Sequence, residues 1–182
     1  MNSLNKKYWQ EAFLFLLIIY ATIPVARPLT SLLRKHIPFT LTINLVSIAI
    51  LAAALMLLLA KIKVKLPSTY VLIGIFTAIC LFLLTFIKIP EEKIHFFEYG
   101  ILAYLTFRAL RLTRPEKISY FYTAFLVALA GWLDEGIQAL VPGRYYDLRD
   151  VGFNAMGGLL GIFIVWIIKR ETRIEAPPTD SF

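Results

Sequence analysis

The sequence predicts an all-α fold, a polytopic transmembrane helical bundle of about six helices. Of the 182 residues, 59% are hydrophobic and only 17% are charged, whereas a soluble domain is closer to a quarter charged. The mean hydropathy of +0.71 agrees with this class. The apolar residues also form separate segments, each near the ~20 residues that cross about 30 Å of hydrocarbon as a helix.

Six apolar segments follow one another along the chain. They are residues 9–25, 41–60, 68–89, 93–110, 118–140 and 151–168. The first follows Lys6 and Lys7 as a signal peptide would. No small-residue cleavage site comes after it, so we predict an uncleaved helix. The fourth is the least hydrophobic because it carries His95, Glu98 and Arg108, and we predict that it lies inside the bundle, away from lipid.

Charge distribution predicts the orientation. Most of the 19 lysines and arginines fall in the amino terminus, the second and fourth loops and the tail, which share one side of a six-span bundle. The positive-inside rule then places both termini in the cytoplasm. The net charge of +7 is dispersed between apolar segments and forms no patch, so nucleic acid is not an expected partner.

The chain reads as a single transmembrane domain over residues 1–170, followed by a disordered cytoplasmic tail over 171–182. That tail contains Pro177 and Pro178. The one cysteine, Cys80, lies inside an apolar segment. No internal disulfide is therefore possible, and cysteine usage does not report the redox compartment.

A polar cluster occupies residues 134–154, between and inside the last two apolar segments. Its members are Asp134, Glu135, Gln138, Arg144, Asp147, Arg149, Asp150 and Asn154. A charge at bilayer depth costs at least about 2.5 kcal/mol, so such a cluster indicates a functional site. The alternative is a solvated loop, with Asn154 as a helix-packing residue.

The polar residues of the last three helices fall in register at one depth. Helical three-and-four spacing relates His95 to Glu98 and Tyr99, Asp134 to Gln138, and Asp147 to Asp150 and Asn154. With both termini cytoplasmic, this level faces outward. We therefore predict a site between these helices on the extracytoplasmic side. Small residues, Gly131, Gly157 and Gly161, predict close packing of the helices there.

Each residue type suggests a role in such a site. His95 is the candidate general base, because the histidine pKa of about 6.5 suits proton transfer at neutral pH. Asp134 or Glu135 would orient it or act as partner acid, and these three are the candidate catalytic residues. Arg144 suits a phosphate or carboxylate. The candidate substrate-binding residues are Gln138, Arg144, Asp147, Asp150, Asn154, Glu98 and Tyr99.

The same residues also bear on metal binding and on nucleophilic catalysis. His95, Asp134, Glu135 and Asp150 offer ligands for a divalent ion. No signature such as H-E-x-x-H is present, so no metal site is assigned and no cofactor is named. A serine or cysteine nucleophile is not evident near the cluster.

Four motifs in order resemble the VanZ-like family of small bacterial polytopic membrane proteins. They are IHFFEYG at 94–100, DEGIQ at 134–138, PGR at 142–144 and D-x-x-D-x-x-x-N-x-x-G at 147–157. The resemblance covers residues 90–166. The founding member of this family is associated with resistance to the glycopeptide antibiotic teicoplanin, so the resemblance implies a bacterial, envelope-associated membrane protein. The positions that match the family's recurring polar residues are His95, Asp134, Gln138, Arg144, Asp150 and Asn154. Glu91 and Glu92 stand where the family commonly has an aspartate.

Together these observations predict a multi-pass protein of the bacterial cell membrane. We expect it to act on or bind a lipid, a lipid-linked cell-envelope precursor or a glycopeptide, with a link to teicoplanin resistance. Whether the site is catalytic stays open. The alternatives are a non-catalytic cluster that binds a lipid head group or antibiotic or holds the helices together, and a small transporter. No internal repeat of the kind common in transporters is found.

Overall fold

The computed structural model describes residues 3–61, 64 and 66–175, which form six helices. These are α1 (Ser3–Leu33), α2 (Phe39–Lys61), α3 (Pro67–Phe86), α4 (Pro90–Leu110), α5 (Glu116–Ala139) and α6 (Leu148–Glu175). No strand occurs in the described ranges. The predicted all-α fold is therefore confirmed.

Four of these helices are long and apolar enough to cross a membrane. The qualifying stretches are Ser3–Ala26, Phe39–Ala60, Pro67–Phe86 and Leu148–Thr172. α4 and α5 are 21 and 24 residues long but more polar. α4 contacts α1, α2, α5 and α6, so neighbouring helices surround it, as predicted, and its polar side chains meet protein groups. An α-helical membrane bundle fits this arrangement.

Proline and glycine mark the helix boundaries. Pro67 and Pro90 stand in the first turns of α3 and α4, where the missing amide hydrogen costs nothing. Gly143 has a φ of 78° in the loop between α5 and α6, a conformation that glycine adopts without strain. α6 continues through residues 171–175, which we had placed at the start of the tail. Residues 176–182 of the predicted disordered tail lie outside the described residues.

Glycines bring α6 against α4 and α5. A Cβ at Gly157 would lie 2.3 Å from the Phe96 carbonyl oxygen, and one at Gly161 would lie 2.3 Å from that of Gly100. A Cβ at Gly131 would lie 2.8 Å from the Cβ of Asn154. Only glycine permits these approaches, so the predicted packing role of the three glycines is confirmed.

The two ends of the bundle carry different polar contacts. At the first, which we call the tail end, Glu11 pairs with Arg108. Glu116 lies there 3.6 Å from Arg111 and 4.0 Å from Lys169, measured between the carboxylate and the basic nitrogens. These contacts join the beginning of α1 to the end of α4, and the beginning of α5 to the end of α6. Both described ends of the chain therefore lie at the tail end. Which end faces the cytoplasm stays a prediction.

Candidate functional site

The opposite end of the bundle, which we call the site end, buries two acidic residues near the end of α5. Asp134 and Glu135 are 0% and 1% exposed, and Gln138 is 2% exposed. An unpaired buried charge costs several kcal/mol. The partners of these groups therefore decide what this part of the molecule can do.

Three side chains form a hydrogen-bonded chain from the loop to the buried acid. Arg144 donates to Oε1 of Gln138, and Nε2 of Gln138 donates to Oδ2 of Asp134 over 3.1 Å. Nδ2 of Asn154 on α6 donates to the same Oδ2 over 3.4 Å. We call this the Arg144–Asp134 chain. It links a half-exposed guanidinium to a fully buried carboxylate through a neutral amide.

Asp134 keeps one oxygen available. Its Oδ1 has no hydrogen-bond partner among the described residues, although Tyr99 lies close to it. Tyr99 directs its hydroxyl to the Ala130 carbonyl over 3.3 Å, and the hydroxyl of Tyr20 donates to the same carbonyl over 2.8 Å. A buried carboxylate oxygen without a donor is costly, which is a feature of binding and proton-transfer sites.

His95 is held by its own helix. Its Nδ1 lies 2.8 Å from Oε2 of Glu98, one turn along α4, and the histidine is 7% exposed. Asp134 and Arg144 both lie within range of electrostatic interaction with it. We had expected Asp134 or Glu135 to orient the imidazole. In the structure Glu98 makes this contact, and Asp134 interacts with His95 over a longer distance.

A second group of acids lies beside this chain. Oε2 of Glu135 accepts a hydrogen bond from the Asp147 backbone N–H over 3.4 Å. Glu92, 9% exposed, contacts Asp150 and lies within electrostatic range of Glu135 and Arg144. Carboxyl groups thus outnumber basic groups around Arg144.

Asp147 caps α6 with its side chain and contacts Glu135 with its backbone. α6 begins at Leu148, so Asp147 is its N-cap, one position before the helix that carries Asp150 and Asn154. Its predicted role in substrate binding stays a prediction. Its Oδ1 accepts from the Arg149 backbone N–H over 2.9 Å, and its carboxylate also pairs with the Arg149 guanidinium. These Arg149 contacts hold the pKa of Asp147 below its usual value.

Two residues at the site, Glu92 and Tyr20, were not among the candidate site residues, although Glu92 was noted beside the family's aspartate position. Glu92 precedes His95 by three positions, so the same three-and-four spacing could have included it. Tyr20 lies in an apolar segment of α1 and carries no such signal. No three histidine, cysteine, aspartate or glutamate residues within the described part of the chain converge closely enough to hold a metal ion.

The whole bundle, and not only its last three helices, matches a known family. The profile of the family described as VanZ/LLP1 matches residues 12–169. The chain belongs to the VanZ/LLP1 family. This match extends the resemblance seen at 90–166 back through the first three helices, which therefore form part of the family's common unit. Comparison with curated proteins and with solved structures gave no match.

Proposed function

We propose that this VanZ/LLP1 protein binds the polar head group of a lipid or lipid-linked cell-envelope component between α4, α5 and α6. The observation that carries the proposal is the Arg144–Asp134 chain. Its outer member is a half-exposed guanidinium, and its inner member is a fully buried carboxylate with an oxygen that lacks a donor. A ligand anion and a ligand hydrogen-bond donor would each find a partner there.

Arg144 is suited to capture an anion. A planar guanidinium can bond a phosphate or carboxylate with two parallel hydrogen bonds, and hydrogen bonds to a charged acceptor are roughly twice as strong as neutral ones. A ligand anion would therefore compete well with the neutral amide oxygen of Gln138, which accepts a hydrogen bond from Arg144. The released Gln138 amide could then bond the ligand while still donating to Asp134.

The site also holds groups suited to proton transfer. In the proposed arrangement, the Glu98 carboxylate fixes His95 through Nδ1, which leaves Nε2 to exchange a proton with the bound head group. Asp134 is the second proton-exchanging group, since its Oδ1 accepts no hydrogen bond from the described residues. Binding with or without a subsequent reaction is compatible with these contacts.

Entry to the buried groups requires the loop over residues 140–147 to move. Its contacts with α5 include the Arg144–Gln138 bond, the 3.4 Å bond from Asp147 N–H to Glu135, and backbone hydrogen bonds from Leu140 and Val141. The second is near the limit of hydrogen-bond length. Gly143 at the centre of the loop adopts its turn without strain.

We further propose that the site faces outward and that it influences teicoplanin susceptibility. The first part rests on the lysine and arginine distribution. A cysteine placed at exposed Tyr145 in a Cys80→Ala background should react with a membrane-impermeant thiol reagent on whole cells. Reaction only after lysis would overturn the orientation.

The main test compares function with stability. His95→Ala, Asp134→Asn and Arg144→Ala should abolish the teicoplanin phenotype in one bacterial host while the melting temperature of the purified protein stays near that of the wild type. Arg149→Ala is the matched control, since its side chain is 74% exposed and pairs with the cap residue Asp147. An unchanged phenotype in the three site variants would contradict the proposal.

A second candidate function is helix attachment. The Asn154–Asp134 bond joins α6 to α5, and such interhelical bonds stabilise membrane bundles by roughly 1 kcal/mol. If this were the sole role, the same variants would lower the melting temperature and the phenotype together. The stability measurement therefore separates the two candidates.

A further inference from the structure

An apolar groove of about 250 Å³ runs between α1, α4 and α5. Six of its lining residues are Trp9, Leu16, Tyr20, Leu126, Val127 and Leu133. Its polar atoms are few, and the Tyr20 hydroxyl is already bonded to the Ala130 carbonyl. A hydrocarbon chain is therefore the occupant that this lining can accept without leaving polar groups unsatisfied.

The groove approaches the polar site at Tyr20. This residue lines the groove and lies within range of electrostatic interaction with Asp134. A molecule whose polar part reaches the Arg144–Asp134 chain would thus extend its apolar part into the groove.

The length of the groove fits one lipid tail. From Trp9 to Tyr20, α1 rises by about 16 Å at 1.5 Å per residue. This is close to half of the ~30 Å hydrocarbon core, the depth that one leaflet's acyl chains occupy.

The charges of the site specify the head group. Glu92, Glu135 and Asp150 all lie within electrostatic range of Arg144. A purely anionic head group would be attracted by the guanidinium but repelled by these carboxylates. A head group that joins a phosphate to an ammonium complements both, with the phosphate on Arg144 and the ammonium on the carboxyls.

We propose that the groove between α1, α4 and α5 holds one tail of an amine-bearing phospholipid whose zwitterionic head group occupies the polar site. The head-group half of this inference rests on the proposed function. The tail half rests on the groove alone.

Photolabelling of the purified full-length protein tests both halves. The probe is phosphatidylethanolamine with a diazirine in its acyl chain, and labelled residues are mapped by mass spectrometry. Labels should concentrate on groove residues such as Leu16 and Leu126. Unlabelled phosphatidylethanolamine should compete about tenfold better than phosphatidylglycerol, because hydrogen bonds between charged groups contribute that much.

Two variants separate the halves. Leu133→Trp should fill the groove and remove most of the labelling. Leu57→Trp is the control, because Leu57 lies on the exposed surface of α2, with 62% of the residue exposed, and this substitution should leave the labelling unchanged. Arg144→Ala should weaken competition by both phospholipids, because each carries the phosphate that Arg144 would bind, and should leave the groove accessible to any tail.

Three further outcomes would each refute one part of the proposal. Labels spread equally over α2, α3 and the groove would mean ordinary lipid contact and would refute the tail site. Equal competition by phosphatidylglycerol would refute the amine requirement. Groove labelling with competition by phosphatidylethanolamine as strong in Arg144→Ala as in the wild type would refute the head-group site of the proposed function and leave the tail site standing.

Discussion

The tail end and the site end of this bundle use similar residues in opposite ways. At the tail end, Glu11 lies against Arg108, and these side chains are 36% and 29% exposed. At the site end, Asp134 is fully buried, and its hydrogen bonds come from the amides of Gln138 and Asn154. The Glu11 carboxylate at the tail end is therefore paired with a basic group near the surface, whereas the Asp134 carboxylate at the site end is hydrogen-bonded by neutral amides in the interior.

That difference indicates which end does more than hold helices together. Exposed pairs contribute about 0–1 kcal/mol and cost little to form, so they are ordinary helix contacts. Burying a carboxylate that is hydrogen-bonded only by neutral donors does little for stability, because the free-energy cost of desolvating the charge can exceed the free energy gained from the hydrogen bonds. A cluster kept at that cost is expected to have a ligand.

The largest expected effect is on function at the site end. Asp134→Asn should reduce head-group binding by about tenfold or more, because it removes a charged acceptor. Its melting temperature should stay level or rise, since a buried charge is lost. Glu11→Gln, the equivalent loss of one acid at the tail end, should leave binding unchanged. Equal loss in both variants, measured by lipid binding to purified protein, would remove the distinction between the ends.

A smaller effect is expected on the packing that builds the site end. Gly157→Ala places a Cβ against the Phe96 carbonyl, and overpacking of this kind costs about 1–3 kcal/mol. Gly152→Ala is the matched control on the same helix, since nothing lies within 4 Å of its added Cβ. It should stabilise by about 0.5–1 kcal/mol. Thermal unfolding in detergent should therefore shift in opposite directions for the two variants.

The cap of α6 should contribute about 1 kcal/mol, as N-cap side chains do. Asp147→Ala removes it and should lower the melting temperature without altering lipid binding. Because folding lowers the pKa of Asp147, its contribution is present above the unfolded-state pKa of about 3.9 and is lost as the pH falls. The gap between wild type and variant should therefore narrow as the pH falls below 4. A constant gap across this range would show that the ionised carboxylate is not what stabilises the cap.

The smallest effect is expected at the tail end. Removing the Glu11–Arg108 pair by Glu11→Gln should cost about 0–1 kcal/mol, and added salt should reduce the difference from wild type. A loss that exceeds this range, or that does not respond to salt, would indicate that the tail end is as specialised as the site end.

Much of this organisation follows from sequence periodicity. Apolar segment lengths predicted the helices, and the polar composition of α4 predicted its central place. Three-and-four spacing placed His95 beside Glu98 and Asp134 beside Gln138, because such neighbours lie on one helix face.

Contacts between helices could not be predicted in the same way, since periodicity does not fix how one helix is rotated against another. Tyr20 reaches the Ala130 carbonyl from α1, whose segment reads as uniformly apolar. The start of α6 at Leu148 makes Asp147 the N-cap of this helix, a role that the spacing of Asp147, Asp150 and Asn154 did not indicate. The first contact depends on tertiary packing, and the second depends on the residue at which α6 begins.

The most direct test of the central claim is a thermal-shift titration of three proteins with phosphatidylethanolamine: the wild type, Arg144→Ala and Arg149→Ala. At a lipid concentration 100 times the dissociation constant, binding should stabilise the wild type and Arg149→Ala by about 2.7 kcal/mol. Arg144→Ala should show little shift. Equal shifts in all three proteins would contradict a head-group site at the Arg144–Asp134 chain.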